Sequence, residues 1–454
     1  MGDLQRMSRR EFVSTASSVA AGTLIFGAHA GRVSAERPQG KLRLAMVGTG
    51  IRGSQTWGRD VVKGYGNKVE FVGLCDINPG RVESARKYLA LAVPVFTDFD
   101  ALLKQTRPHT VIVTTVDSTH HHFIVKALEA GCGVIVEKPL TTDEEKLQEI
   151  LAAQHRTGGK VIVTFNYRYS PHRARIKELV MQGRIGRVTS VDFHWYLDTI
   201  HGADYFRRWH RLRKNSGTLL LHKASHHFDL LNWWIDSDPE IVHGFGALEF
   251  YGKNNPYRHT HCRTCPLKTS CPFFFDMTKD KFLMDLYAAN EVYDGYLRDG
   301  CVFREDIDIF DKMAVQIRYA NNVQVSYSLT TYSPYEGYRI AFNGTKGRME
   351  TWIHERQPWP MESYDEIRVT DMFGSTELIR VPIVAGGHGG GDNLMQERIF
   401  VDSAKPDQLG QGAGIRDGAF AILLGIAARK SIDTGMPIKI ADLSELKPTE
   451  HRAG

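Results

Sequence analysis

From Gly217 to Asp229 the chain reads Gly-Thr-Leu-Leu-Leu-His-Lys-Ala-Ser-His-His-Phe-Asp. His222 and His226 are four residues apart, so on a helix they share one face, a turn apart. A histidine titrates near neutrality, and either imidazole is suited to take a proton from a hydroxyl. The same spacing also allows the pair to hold a catalytic metal ion. Lys223 and His227 add donors for hydroxyls or a carboxylate. Upstream, Tyr205-Phe206-Arg207-Arg208-Trp209-His210 interleaves rings with cations. Flat rings pack on the C–H faces of sugars, and cationic donors bind hydroxyls, which makes Tyr205 and Arg208 candidate carbohydrate contacts. A solvated loop around one buried Trp is the plainer alternative. Gly386-Gly387-His388-Gly389-Gly390-Gly391-Asp392 is a glycine-rich loop whose His388 is either a substrate contact or part of a turn.

A second constellation is Gly48-Thr49-Gly50-Ile51-Arg52-Gly53. Glycine triplets are common, but this one follows an apolar run, precedes a helical pattern, and is followed by a second run ending at Asp76. That context marks a dinucleotide loop. Gly48 permits the tight turn, Gly50 the approach of a pyrophosphate, and Gly53 the packing of helix on sheet. The helix start offers free N–H groups to phosphates. Asp76 is placed to accept from the adenosine ribose hydroxyls and to repel a 2′-phosphate, which favours NAD. Arg81, about a turn further on, leaves some NADP use open.

The third is Cys262-x2-Cys265-x5-Cys271, followed by Cys301. Four clustered thiols suit a structural tetrahedral Zn²⁺ site, with His259 or His261 as substitute ligands. Two disulfides, or an iron–sulfur cluster, use the same residues equally well. Cys75 and Cys132 fall on core elements.

These residues need a scaffold, and the apolar pattern provides one. Leu42–Val47, Val69–Cys75, Thr110–Thr115, Gly133–Val136 and Val161–Phe165 read as buried strands. Pro79–Leu91, Thr119–Ala130 and Glu144–Arg156 read as the helices between them, and Pro171–Gln182 as a helix beyond. Alternating strand and helix predicts an α/β fold, a doubly wound parallel Rossmann sheet. From Val188 the texture changes. Val188–Trp195, Ile241–Glu249, Lys312–Tyr319, Val323–Leu329 and Tyr338–Asn343 read as strands of a large open antiparallel sheet in a C-terminal α+β domain. Gly344-Thr345-Lys346-Gly347 reads as a tight turn and Ala413–Gly435 as a buried helix. The domains are then 41–165 and 166–454, the second with a Cys-bearing insertion at 251–301.

The 454 residues suffice for two such cores. Net charge is +5, and no dense basic tract stands out beyond Arg207–Arg213, so the composition gives no case for a nucleic-acid partner. Ser8-Arg9-Arg10-Glu11-Phe12-Val13 stands before a mildly apolar stretch, Val19–Ala30, that ends in the small-x-small triplet Ala28-His29-Ala30. This resembles a twin-arginine export signal over 1–30, followed by a linker at 31–40. The stretch is too short to be a stable membrane anchor. The expected location is the periplasm, and an exported NAD enzyme should hold its cofactor tightly.

Val136-Glu137-Lys138-Pro139, together with the glycine loop upstream, resembles the Gfo/Idh/MocA oxidoreductases, named for glucose–fructose oxidoreductase and inositol dehydrogenase. Thr115-Val116-Asp117-Ser118-Thr119-His120 is similar to that family's Thr-Pro-x-x-x-His, with Val116 in place of the proline. Ala127–Gly131 and Asn166-Tyr167-Arg168-Tyr169 also fit the family, and the resemblance spans roughly Leu42 to Ile440. It implies that Thr115, His120, Glu137 and Lys138 line the cofactor, and that Lys138 reaches the substrate hydroxyl to stabilise a developing alkoxide. It favours His226 as the base. The family's Asp-x-x-x-His-x-x-Asp is matched at His226 and Asp229, but His222 stands where the first Asp is expected. A subset of relatives is similar in the cysteine arrangement. The resemblance implies oxidation of a sugar or glycoside ring hydroxyl, with C3 one position. A redox-neutral, NAD-dependent glycosidase working through transient C3 oxidation, elimination and re-reduction is the alternative. A non-catalytic sugar sensor is the third reading. Relatives also pack the open sheet against another copy, which implies a homo-oligomer.

Overall fold

The computed structural model describes residues 40–452. The expected signal at 1–30 and residues 31–39 of the linker lie outside the described residues. Six strands, β1 (Leu42–Val47), β2 (Val69–Cys75), β3 (Val95–Phe96), β4 (Thr110–Val113), β5 (Gly133–Val136) and β6 (Val161–Val163), form a parallel sheet in the order β3-β2-β1-β4-β5-β6. These runs are rich in Val, Ile and Leu because helices cover both faces. Helix ends are set locally. Asn78 caps Pro79–Tyr88 by accepting from Arg81 N (2.9 Å), with Pro79 in the first turn. Asp143 caps Glu144–Thr157, and Gly158 closes that helix at φ +64°.

The second sheet has nine strands: β7 (Val188–Asp198), β8 (Pro239–Ala247), β9 (Lys312–Tyr319), β10 (Gln324–Ser333), β11 (Glu336–Gly344), β12 (Gly347–Arg356), β13 (Tyr364–Asp371), β14 (Thr376–Pro382) and β15 (Ile438–Lys439). Their order is β14-β13-β12-β11-β7-β10-β9-β8-β15. All neighbours are antiparallel except β7 and β10, whose parallel pairing corrects the expectation of a purely antiparallel sheet. Gly344–Gly347 forms the expected tight turn between β11 and β12. Three strands, β12 to β14, and the helix Gly391–Phe400 were not expected. The segment 251–301 is irregular, with short helices at Lys281–Leu286 and Glu291–Asp294.

Helix Ile415–Thr434 is buried along most of its length and packs on β8, β6 and the helix Ala224–Ile235. At Gly425 it approaches so closely that a Cβ would lie 2.5 Å from Leu220 O. That contact supports the short helix Leu219–His222 from behind. No helix among the described residues is long and apolar enough to cross a membrane.

Candidate active site

The strand ends of the parallel sheet face the second domain across a cleft of about 860 Å³. That is ample for a small substrate beside a cofactor's reactive end. At one side lies the glycine loop. Gly48 has φ +88°, and a Cβ there would sit 2.6 Å from the Thr114 backbone. A Cβ on Gly53 would sit 2.3 Å from Gly48 O, so Gly53 closes the helix on the loop. Gly50 faces the cleft. This cradle fits a dinucleotide pyrophosphate.

Asp76 lines the cleft too, but its carboxylate is already engaged. It accepts from Thr49 N (2.7 Å), Thr49 Oγ1 (3.0 Å), Asn78 N (3.0 Å) and Arg81 Nη1 (3.1 Å). Thr49, expected to contact the cofactor, is fully buried and bonds Asp76 instead. Arg52, in the same loop, holds Glu137 (2.6 Å) and Asp392 (2.6 Å), tying the Rossmann domain to the glycine-rich loop of the second domain. Burial pulls Glu137 up, but Arg52, Trp57 and Lys138 outweigh it and hold the carboxyl below its ordinary value. His120 bridges Pro139 O (2.8 Å) and Thr115 O (3.2 Å), fixing the backbone on either side of the cleft floor.

Lys138 stands on that floor, just past β5. Its Nζ donates to His222 O (2.8 Å) and lies 3.5 Å from His222 Nε2. Burial lowers its pKa to about 8, with Asp117 and Glu137 opposing. The other ring nitrogen of His222, Nδ1, meets Asp117 Oδ2 at 2.6 Å. Burial raises Asp117 and lowers His222, so one proton serves this pair.

The two histidines are not on one unbroken helix. Leu219–His222 ends, Lys223 makes the junction, and Ala224–Ile235 begins. Both still reach the cleft. Thr218, with φ +104°, starts the short helix; it is a β-branched residue in a region such residues avoid, held there by its surroundings. His226 stacks on Tyr167 (4.3 Å between centroids), and its Nδ1 is buried with no hydrogen-bond partner among the described residues. Burial, then Lys138 and His388, keep it neutral well below the usual histidine value.

Tyr205, Arg208 and Trp209 also line the cleft, and the rings of Tyr205 and Trp209 lie edge-on to His222, at 5.3 and 5.6 Å between centroids. Tyr205 OH bonds His201 Nε2 (2.9 Å), whose Nδ1 meets Glu336 Oε1 (2.6 Å). Lys223 donates to Tyr167 OH (3.0 Å) and lines the cleft. His388 bonds Asp392 (2.8 Å) and Asn166 (2.9 Å), so the glycine-rich loop is pinned at the cleft edge.

One expectation fails. His227 is fully buried, stacked on Trp195 (3.8 Å) and bonded to Tyr327 OH (2.7 Å), so it belongs to the core and not to the substrate wall. Cys262, Cys265, Cys271 and Cys301 are free thiols. Among the described residues no three His, Cys, Asp or Glu side chains are grouped to hold a metal ion. Cys262 Sγ instead accepts from Arg207 (3.3 Å). Sequence reasoning missed Asp117, Glu336 with His201, and Tyr287 of the insertion. Asp117 lay within the quoted Thr-Val-Asp-Ser-Thr-His motif; nothing local marked the other three.

A Rossmann domain with this cradle, joined to an open-sheet domain that delivers a lysine–histidine cluster, defines a nucleotide-dependent oxidoreductase. Residues 42–165 match the model for the oxidoreductase family's NAD-binding Rossmann fold, and 177–440 match its C-terminal alpha/beta domain. The chain belongs to the Gfo/Idh/MocA family. It is 37% identical over 423 residues to Bacillus subtilis YteT, provisionally an oxidoreductase, covering 89% of this chain and 99% of that protein. It is 25% identical over 208 residues to the inositol 2-dehydrogenase/D-chiro-inositol 3-dehydrogenase of Lactiplantibacillus plantarum, covering 46% and 56% of the two. Levoglucosan dehydrogenase, solved with NADH and levoglucosan, shares the fold with a TM-score of 0.63 at 18% identity, over 88% of this chain and 99% of that one.

Proposed function

We propose that this chain oxidises a ring hydroxyl of a sugar or glycoside, C3 being one candidate position, with an NAD that it holds tightly. The observation that carries this reading is the convergence of Lys138, His222 and His226 in the cleft that also holds the glycine loop. The names of the inositol and levoglucosan dehydrogenases among its relatives lean the same way. The glycine loop would hold NAD, which would supply the hydride acceptor for the carbinol carbon. The Lys138 ammonium donates an N–H to the substrate oxygen and stabilises charge as it develops. His226, neutral through burial, takes the hydroxyl proton. His222, held by Asp117, keeps the Lys138 ammonium in place. Tyr205, Arg208, Trp209 and Lys223 grip the remaining hydroxyls, with His388 at the edge.

One observation favours a second reading. The Glu336–His201–Tyr205 chain is a further proton path into the cleft. A redox-neutral glycosidase needs such a path, to remove the proton beside a transient ketone.

The deciding experiment adds a panel of sugars and glycosides to purified protein while absorbance near ~340 nm is followed and products are identified. A lasting rise with a keto-sugar supports oxidation. Released aglycone without net absorbance change supports the glycosidase. No response to any sugar overturns both. Periplasmic export belongs to the same reading, and an Arg9→Lys, Arg10→Lys double variant should stay in the cytoplasmic fraction. So does pairing of copies through the open sheet, for which light scattering should give a multimer mass.

A further inference from the structure

The segment 277–296 of the insertion packs on the nucleotide side of the Rossmann domain. Tyr287 OH accepts from Ile51 N at 3.0 Å. That amide is among those the glycine loop offers to a pyrophosphate. The same hydroxyl would lie 3.0 Å from a Cβ on Gly50. Tyr287 is nearly buried yet lines the cleft. Burial raises its pKa, so the hydroxyl keeps a proton to donate.

The segment is firmly seated. Asn78 Nδ2 donates to Asn290 O (2.9 Å), and Asn290 Nδ2 donates to Ser84 Oγ (3.2 Å). Asn290 sits so close to Gly80 that a Cβ there would lie 2.0 Å from Asn290 Oδ1. Met277, Leu283, Leu286 and Tyr287 form one apolar cluster with Ala85 of the Rossmann domain. Arg81 lies by the rings of Tyr287 and Tyr296, at 5.5 and 5.9 Å, and pairs with both Asp76 and Asp294.

We propose that the insertion is a cofactor clamp in which Tyr287 donates its hydroxyl proton to a pyrophosphate oxygen of the dinucleotide. The bound phosphate takes the place of the tyrosine oxygen as acceptor for Ile51 N. Asp294, sharing Arg81 with Asp76, leaves two carboxylates against one guanidinium at the ribose end and so disfavours a 2′-phosphate. The insertion thereby slows nucleotide release. This rests on dinucleotide binding by the glycine loop.

The test loads nucleotide-free protein with NADH and chases it with excess NAD⁺, following NADH fluorescence by stopped flow. Loss of a hydrogen bond to a charged oxygen predicts release about tenfold faster or more in Tyr287→Phe. Affinity for adenosine, which lacks the pyrophosphate, should change less than about twofold, on the same free-energy scale. Asn290→Ala, which loosens the segment without touching the hydroxyl, should also speed release, and serves if Tyr287→Phe fails to fold. Unchanged release in both variants overturns the clamp. Slower release or tighter binding in Tyr287→Phe also overturns it, because the hydroxyl would then compete with the phosphate. Wild-type protein that takes up no NADH would fail the dinucleotide assignment itself, and the clamp with it.

Discussion

Asp117 Oδ2 lies 2.6 Å from His222 Nδ1, joining the end of the β4 loop to the helix start in the other domain. His222 stands where related oxidoreductases usually carry an aspartate. The carboxylate lost from that position is supplied from across the cleft, one imidazole further from Lys138. Lys138 therefore still faces an acceptor, and the acceptor is still backed by an anion.

Asp117→Asn should break this arrangement without unfolding the protein. An amide cannot share the imidazole proton as a carboxylate does, so His222 loses its fixed tautomer and Lys138 keeps only the His222 backbone oxygen as a sure acceptor. Turnover on whichever sugar the panel identifies should fall on the order of 10²-fold or more. Apo-protein melting should stay within a few degrees, because a nearly isosteric side chain fills the same space. A variant with wild-type kcat would remove Asp117 from the machinery.

The pH profile follows from burial. Lys138 titrates at about 8, below a free lysine, so its positive charge, and with it the stabilisation of a developing alkoxide, is lost as pH rises through 8. The activity should show a falling alkaline limb there. His222 and His226 are held below the usual ~6.5 and are neutral at pH 7, so the acid limb should lie below that value. The stability sign is opposite to that of a paired lysine. Between pH 8 and the unfolded value near ~10.5 the unfolded chain binds more protons, and stability from this group rises with pH. An alkaline limb that persists unchanged in Lys138→Met would assign it to another group.

Much of the scaffold was legible locally. Leu42–Val47, Val69–Cys75, Gly133–Val136 and Lys312–Tyr319 are strands with the bounds their apolar runs predict, because glycine, proline or charged residues punctuate them. The glycine loop was legible for the same reason. The edge strand β14 and its neighbour β13 were not, since their exposed, polar alternation carries little apolar signal. Asp117 with His222, and Tyr287 with Ile51, depend on contacts across 105 and 236 residues of chain. His227 looked like its neighbour His226, but successive helix positions point about 100° apart, and Trp195 of β7 covers one of them. The cysteine spacing said nothing about which way each thiol faces.

Arg52→Ala should be destabilising rather than merely inactivating. Arg52 is the cation between two nearly buried carboxylates, Glu137 and Asp392. Removing it takes from both their only guanidinium partner, at ~3–5 kcal/mol for a broken buried pair, with Trp57 left on Glu137 and Asn166 and His388 on Asp392. Both carboxyls sit below their ordinary values in the folded protein. Their contribution is present above about pH 4, the unfolded range, and is lost as pH falls below it. In the variant the sign reverses, since protonation now relieves buried charge. Melting curves from pH 7 to pH 5 should show the variant gaining relative to wild type.

The six cysteines should divide three and three toward a thiol reagent. Cys75, Cys132 and Cys262 are buried, and Cys265, Cys271 and Cys301 are half-exposed. Only the thiolate reacts, so burial protects twice, by blocking access and by raising the pKa. Cys75 is pushed up to about 12 by burial, then Asp76 and Asp98, and Cys132 and Cys262 are raised by the same burial. Native protein at pH 8 should label rapidly at three sites and reach six only after denaturation. Mass mapping of the labelled peptides decides it. Rapid labelling of Cys262 would show the insertion opening at that point. Protection of all four insertion thiols, relieved by a chelator or by a reductant, would show them bound to metal or paired with one another.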